Sequence, residues 1–112
     1  MSISQIEFLR HILDECNYLL QEGSSNNFDD FIKNDRLIRA VCRSLEIIGE
    51  ASVKIHPDIK ARFPQIPWRE MSDLRNRIIH QYFGIDYEIV WNIVETDIPV
   101  LKVDIGYILD QL

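Results

Sequence analysis

The chain is poor in residues that define several classes of protein. Only two of its 112 residues are cysteines, Cys16 and Cys42, too few and too far apart to predict a disulfide framework or a zinc site. No apolar run approaches the roughly 18–20 residues that span a bilayer, and no segment resembles a signal peptide. We therefore expect a cytoplasmic protein that has no membrane association, no metal and no cofactor.

Positive charge is also scarce. The chain has 12 lysines and arginines against 18 acidic residues, which gives a net charge of −6. A protein that coats nucleic acid nonspecifically usually presents a basic face, so this balance argues against that class. The same balance is compatible with a local cleft that binds a short piece of RNA, because residues 69–80 contain three arginines against two carboxylates. The acidic remainder would suit a basic partner.

Apolar residues, by contrast, make up 46% of the chain, enough for one packed domain that spans residues 1–112. Their spacing in steps of three and four predicts helices almost throughout and no strand. We expect helices at about residues 2–21, 28–33 and 35–55, a single turn at 57–63, and a helix from 67 to about 80–83. Asp86 is expected to cap the next helix, and the chain to kink or restart at Asp97 ahead of a final helix. The fold class is therefore all-α, an up-and-down bundle of four to five helices.

The same periodicity predicts which side chains face the core. Trp68 and Trp91 are expected to be buried aromatics, both cysteines small buried residues, and His11 and His56 surface residues. Gly49 is unusual within a long helix, and close approach of a second helix is its simplest explanation. The inward positions of the third helix are predicted to be Leu37, Ile38, Val41, Cys42, Leu45, Ile48, Ala51 and Ser52.

The most informative stretch is Arg-Asn-Arg-Ile-Ile-His-Gln-Tyr at residues 75–82. Arginine supplies a permanent charge with a fork geometry that suits phosphate. Histidine can accept and donate a proton near neutral pH. These two groups are sufficient for metal-free cleavage of RNA, in which the 2′-OH of the substrate is the nucleophile.

The pattern Arg-x4-His-x-Tyr, led by Arg-Asn, resembles the HEPN-domain ribonuclease toxins, and more narrowly the HepT (DUF86) type. The resemblance covers roughly residues 6–109. It extends to Leu-Glu-Ile-Ile-Gly-Glu-Ala at 45–51, Ile-Pro-Trp-Arg at 66–69, residues 86–91, and Asp-Ile-Pro at 97–99. Such a resemblance also implies a HEPN-like bundle that forms a homodimer.

The resemblance assigns roles to four residues. Arg75 would bind the scissile phosphate and His80 would act as general acid, general base or both, with Asn76 orienting His80 or the phosphate. Tyr82 would be the site where a minimal nucleotidyltransferase antitoxin attaches AMP. The expected function is a metal-independent endoribonuclease toxin of a type II, or AMP-transfer-controlled, toxin–antitoxin system. Its partners would be RNA, the antitoxin and a second copy of the chain, with a larger assembly with the antitoxin left open.

The residues alone leave other interpretations open. A single histidine near a helix end, such as His80, is more often structural or simply exposed. Arg75 could form an ion pair with Glu70 or Asp73, and Tyr82 could simply pack its ring. Arg77 fits a solvated residue and a phosphate-binding one equally well. The alternative function is a non-catalytic helical dimer that docks a nucleotidyltransferase or binds nucleotide. A nucleotide-handling accessory protein without an RNA role is a third possibility.

Overall fold

The computed structural model describes the backbone of residues 3–83 and 86–112 and the side chains of residues 4–78 and 86–112. Within these ranges every regular element is helical, which confirms the all-α prediction. The elements are α1 (Ile3–Ser25), α2 (Phe28–Ile32), α3 (Asp35–Val53), α4 (Pro57–Arg62), α5 (Trp68–Ser72), α6 (Leu74–Phe83), α7 (Tyr87–Asn92), a π-helical segment (Ile93–Asp97) and α8 (Ile98–Gln111).

The core is formed mainly where α1 packs against α3 and α8. Helices α1 and α3 run antiparallel, since Gln5 near the start of α1 hydrogen-bonds to the backbone of Lys54 and His56 just after α3. All eight positions of α3 that the sequence predicts to face inward are buried. On α1, the fully buried residues are Leu9, Ile12, Cys16 and Leu19. The bundle therefore follows directly from the apolar stripes of its two longest helices.

Helix α1 extends beyond the predicted end at residue 21 and includes Gly23. The polar residues that follow satisfy its last carbonyl groups instead of breaking the helix. Ser24 donates through Oγ to the Gln21 carbonyl at 2.9 Å, and Asn26 donates through Nδ2 to the Glu22 carbonyl at 3.0 Å. Side-chain donors of this kind stabilise a helix C-terminus, whose carbonyls otherwise lack partners.

The predicted helix from residue 67 is in fact two helices, α5 and α6, which meet at Asp73. The backbone N–H of Asp73 donates to the Arg69 carbonyl at 3.1 Å, and this bond closes the last turn of α5. The kink expected at Asp97 takes the form of the π-helical segment, which ends one residue before α8. Pro99 cannot donate a backbone hydrogen bond. The N–H of Ile98, just before it, donates to the carbonyl of Ile93 five residues back, so the helix continues through the proline in a widened turn.

Side-chain caps fix where the shorter helices begin. Asp86 accepts hydrogen bonds through Oδ1 from the N–H groups of Glu88 and Ile89, as predicted. Asn34 caps α3 by accepting from the N–H of Leu37 at 3.1 Å. His56 is exposed, as expected, and its Nδ1 accepts from the N–H of Asp58 at the start of α4. This capping role could not be inferred from composition.

Both tryptophans and both cysteines are buried, which confirms the prediction. The indole Nε1 of Trp68 donates to the Phe63 carbonyl at 3.0 Å, while Trp91 stacks on Phe31 with ring centroids 4.7 Å apart. Burial raises the pKa of Cys16 to about 12 and that of Cys42 to about 11. These thiols therefore stay protonated and behave as small core residues. Among the described helices, none is long and apolar enough to cross a membrane.

Candidate active site

Gly49 brings α3 into backbone contact with the junction of α5 and α6. A Cβ atom at this position would lie 2.9 Å from the backbone nitrogen of Arg75, 3.2 Å from the carbonyl oxygen of Met71 and 3.4 Å from the Cβ of Leu74. Real Cβ atoms essentially never come within 3.0 Å of such a neighbour. The close approach predicted for Gly49 is therefore confirmed, and the neighbour that it accommodates is the first turn of α6, which carries Arg75.

This contact places Arg75 beside Glu50, the residue that follows Gly49. The Nε atom of Arg75 lies 3.7 Å from Oε1 of Glu50, and both side chains are partly exposed, at 56% and 40%. The ion pair thus links α6 to α3 rather than to Glu70 or Asp73, the two partners that the sequence suggested. Arg75 lies in a groove of about 450 Å³, lined by Gly49, Glu50, Val53, Lys54, Ser72, Arg75 and Asn76.

Asn76 lines the same groove as Arg75. It is exposed, and its Nδ2 lies 3.4 Å from the Oδ1 of Asp73, a long hydrogen bond that a ligand could replace. Arg75 and Asn76 together therefore offer a guanidinium and an amide to one space. Both are donors that suit the oxygen atoms of a phosphate.

Arg77 lies in a different groove, of about 280 Å³, between α5, α6, the π-helical segment and α8. The walls of this second groove are largely apolar and include Met71, Leu74 and Leu101. Glu70, Asp97 and Asp104 also line it. Arg77 and Arg75 therefore line different grooves. This position does not support a role for Arg77 in binding the same phosphate as Arg75.

The side chains of His80 and Tyr82 lie outside the described residues. Their backbones belong to α6, which is α-helical from Leu74 to Phe83. Position 80 is therefore one turn beyond position 76. It lies about 140° around the helix from position 75, by the 3.6-residue turn. The proposed roles of both residues remain predictions.

Glu50 has a second cationic neighbour that the sequence did not identify. The Nη1 atom of Arg43 lies 3.7 Å from Oε1 of Glu50 and 3.3 Å from Oε2 of Glu46. Lys54, which the i,i+4 spacing suggested as the partner of Glu50, places its Nζ 5.6 Å from the centre of the Phe8 ring. Within the part of the chain that the structure describes, no three His, Cys, Asp or Glu side chains are grouped as metal ligands.

Residues 5–108 match the family model described as ribonuclease HepT-like. A Methanocaldococcus jannaschii protein provisionally named as an RNase is 45% identical over 98 residues, which cover 88% of this chain and 90% of that protein. A Thermococcus cleftensis protein provisionally named ribonuclease HepT is 41% identical over 102 residues, covering 91% and 93%.

A Caldanaerobacter subterraneus protein, also provisionally named as an RNase, is 38% identical over 104 residues, which cover 93% of each chain. No solved structure matches the chain. The match to the family model covers nearly all of the helical bundle, including the groove around Arg75. The chain therefore belongs to the HepT-like ribonuclease family.

Proposed function

We propose that the protein is a metal-independent endoribonuclease whose reaction centres on Arg75 and His80. The observation that carries the proposal is the position of Arg75. Its guanidinium is partly exposed, shares a groove with Asn76, and belongs to a helix turn fixed against Gly49. A cation held in an open groove is suited to bind phosphate, and membership of a ribonuclease family makes RNA the expected source of that phosphate.

The proposed reaction is an internal transesterification. His80 removes the proton from the 2′-OH, and the 2′ oxygen attacks the adjacent phosphorus. The bond from phosphorus to the 5′ oxygen breaks, and that oxygen takes up a proton from a histidine. Arg75 stabilises the charge that develops on the phosphorus oxygens, while Asn76 orients the phosphate or His80. The products carry a 2′,3′-cyclic phosphate and a 5′-OH.

We further propose that two copies of the chain form a C2 dimer and share one cleft. Positions 75 and 80 are separated by about 140° around α6, so a single helix does not direct both toward one point. In a dimer, Arg75 of one copy can meet His80 of the other, and the local positive charge doubles. This arrangement would let a chain of net charge −6 hold RNA.

Regulation by a partner belongs to the same proposal. The protein would be the toxin of a toxin–antitoxin pair, and a minimal nucleotidyltransferase would be its antitoxin. The phenol oxygen of Tyr82 would lose its proton and attack the α-phosphorus of ATP, and pyrophosphate would leave, so that AMP remains on the ring. AMP adds bulk and negative charge two positions from His80, and both would oppose an RNA phosphate.

The test is an RNA cleavage assay in EDTA with purified protein whose mass excludes AMP. Wild type should cleave RNA, and Arg75→Ala and His80→Ala should each lose about 10²–10⁴ in rate. Arg77→Ala is the matched control, because it removes the same charge two positions from Arg75 but in the other groove. Equal loss in all three variants, or activity that survives His80→Ala, would contradict the proposed roles.

A non-catalytic dimer that docks a nucleotidyltransferase is the second candidate. The observation in its favour is the acidic surface: a chain of net charge −6 is better suited to a basic protein partner than to RNA. This candidate predicts no RNA cleavage by folded, unmodified protein. It also predicts that His80→Ala keeps partner binding, while changes around Tyr82 abolish it.

A further inference from the structure

Two arginines from different helices lie beside the same carboxylate oxygen of Glu50. The Nη1 atom of Arg43 on α3 and the Nε atom of Arg75 on α6 each lie 3.7 Å from Glu50 Oε1. Because both distances end on the same atom, the two nitrogens cannot lie farther apart than twice 3.7 Å. This upper limit leaves both guanidinium groups close enough to contact one stretch of a single RNA strand.

Two guanidinium groups this close repel each other unless an anion lies between them. Glu50 supplies that anion in the free protein, and it thereby holds both side chains in place. The side chains of Arg43 and Arg75 are 60% and 56% exposed. Water-exposed ion pairs of this length contribute little free energy, so an arriving phosphate can replace the carboxylate contacts.

The remaining charges around Arg43 limit what it can bind. Glu46 lies 3.3 Å from Arg43, so the cluster of two arginines and two glutamates has no net charge. These four side chains therefore add no net positive charge of their own to attract RNA. What the cluster offers is short-range hydrogen bonding from two guanidinium forks at fixed positions.

We propose that Arg43 binds the RNA phosphate next to the one held by Arg75, with Glu50 as the positioning residue for both. This inference rests on the proposed ribonuclease function and extends the site from α6 onto α3. Arg43 contacts a phosphate that does not react, so it contributes equally to the ground state and the transition state. Its loss should therefore raise KM and leave kcat nearly unchanged.

Steady-state cleavage of a short single-stranded RNA at several salt concentrations tests the proposal. Arg43→Ala should raise KM about tenfold, as expected for the loss of one charge-assisted contact. The dependence of log binding affinity on log salt should become shallower by about 0.7, the value for one phosphate contact on a single strand. Arg39→Ala is the matched control: Arg39 is one turn away on α3, is similarly exposed and pairs with Asp35 at 2.9 Å.

Glu50 is tested by two variants in the same assay. Glu50→Ala should lower kcat/KM, because Arg43 and Arg75 lose the contact that places them in the free protein, and Glu50→Gln should restore part of that loss through its remaining side-chain oxygen. A purely structural role would change thermal unfolding of both variants and leave kcat/KM of the folded fraction unchanged. Circular dichroism of each variant measures that folded fraction.

The assay distinguishes an error in the role of Arg43 from an error in the proposed ribonuclease function. If wild type cleaves RNA and Arg43→Ala retains its KM and salt dependence, the assignment of Arg43 is wrong while the ribonuclease stands. If Arg39→Ala and Arg43→Ala are equally impaired, the effect is one of general charge and the specific contact is wrong. If folded, unmodified wild type neither binds nor cleaves RNA, the proposed function and the role of Arg43 fail together.

Discussion

Replacing Gly49 by alanine provides the most direct physical test of how the site is assembled. In a helix interior, alanine is favoured over glycine by about 1 kcal/mol, so the change would stabilise α3 if space were available. The added Cβ would instead lie 2.9 Å from the Arg75 nitrogen and 3.2 Å from the Met71 carbonyl oxygen. Both neighbours are backbone atoms, which cannot turn away as a flexible side chain can.

Inserting a methyl group into such a contact costs about 1–3 kcal/mol. After the gain in helix propensity, we expect the free energy of unfolding to fall by up to about 2 kcal/mol. Urea denaturation measures this difference, with the midpoint shifted and the slope unchanged. Because Arg75 must move away from α3, RNA cleavage by the folded variant should also fall.

Gly106 provides a matched control within the same protein. It lies inside α8, and a Cβ there would have nothing within 4 Å. Gly106→Ala should therefore stabilise the protein by about 0.5–1 kcal/mol, the opposite sign to Gly49→Ala. If both variants are stabilised equally, the close approach of α3 to α6 is wrong, and with it the positioning of Arg75 beside Glu50.

Three further predictions concern the core and the caps. Trp68→Phe should destabilise the fold by about 1–3 kcal/mol more than Trp91→Phe, because Trp68 donates to the Phe63 carbonyl while Trp91 Nε1 has no hydrogen-bond partner among the described residues; urea denaturation of the pair checks this. Asn34→Ala should cost about 1 kcal/mol, and Asn34→Asp should retain the cap, as measured by thermal unfolding. The buried thiols should make stability fall in alkali. Burial raises the pKa of Cys16 to about 12 and that of Cys42 to about 11, from 9.0. The stability that the two protonated thiols contribute is therefore fully present below pH 9 and is lost as the pH rises from 9 through these raised pKa values. The loss is at most about 1.4 kcal/mol per pH unit for each thiol. Cys16→Ala should flatten the decline, and an unchanged pH profile would contradict the assignment.

Most of the fold could be predicted because it depends on local periodicity. The inward face of α3, the cap at Asp86 and the close approach at Gly49 follow from residue spacing and from the properties of single residues. The break at Asp73 could not be predicted in this way, because no glycine or proline marks it. It depends on how α5 and α6 each pack against α3.

The grouping of Arg75 with Asn76 could be anticipated for the same reason, because it depends on neighbouring positions of one helix. Arg75 and Asn76 are adjacent in sequence, and their shared groove is consistent with the motif. The contact of Glu50 with Arg43 and Arg75 joins two helices across 25 residues of chain, so local spacing instead suggested Lys54 as the partner of Glu50. The separation of Arg77 from Arg75 likewise depends on the tertiary position of α8.

The chemistry of the cleaved ends distinguishes attack by the 2′-OH from other routes of RNA cleavage. A short RNA and the same strand with 2′-deoxy sugars should be incubated with unmodified protein in EDTA, and the products analysed by mass. We expect that only the RNA is cut, with a 2′,3′-cyclic phosphate on one fragment and a 5′-OH on the other. Cleavage of the 2′-deoxy strand, or fragments with a 5′-phosphate, would contradict attack by the 2′-OH and the roles given to Arg75 and His80.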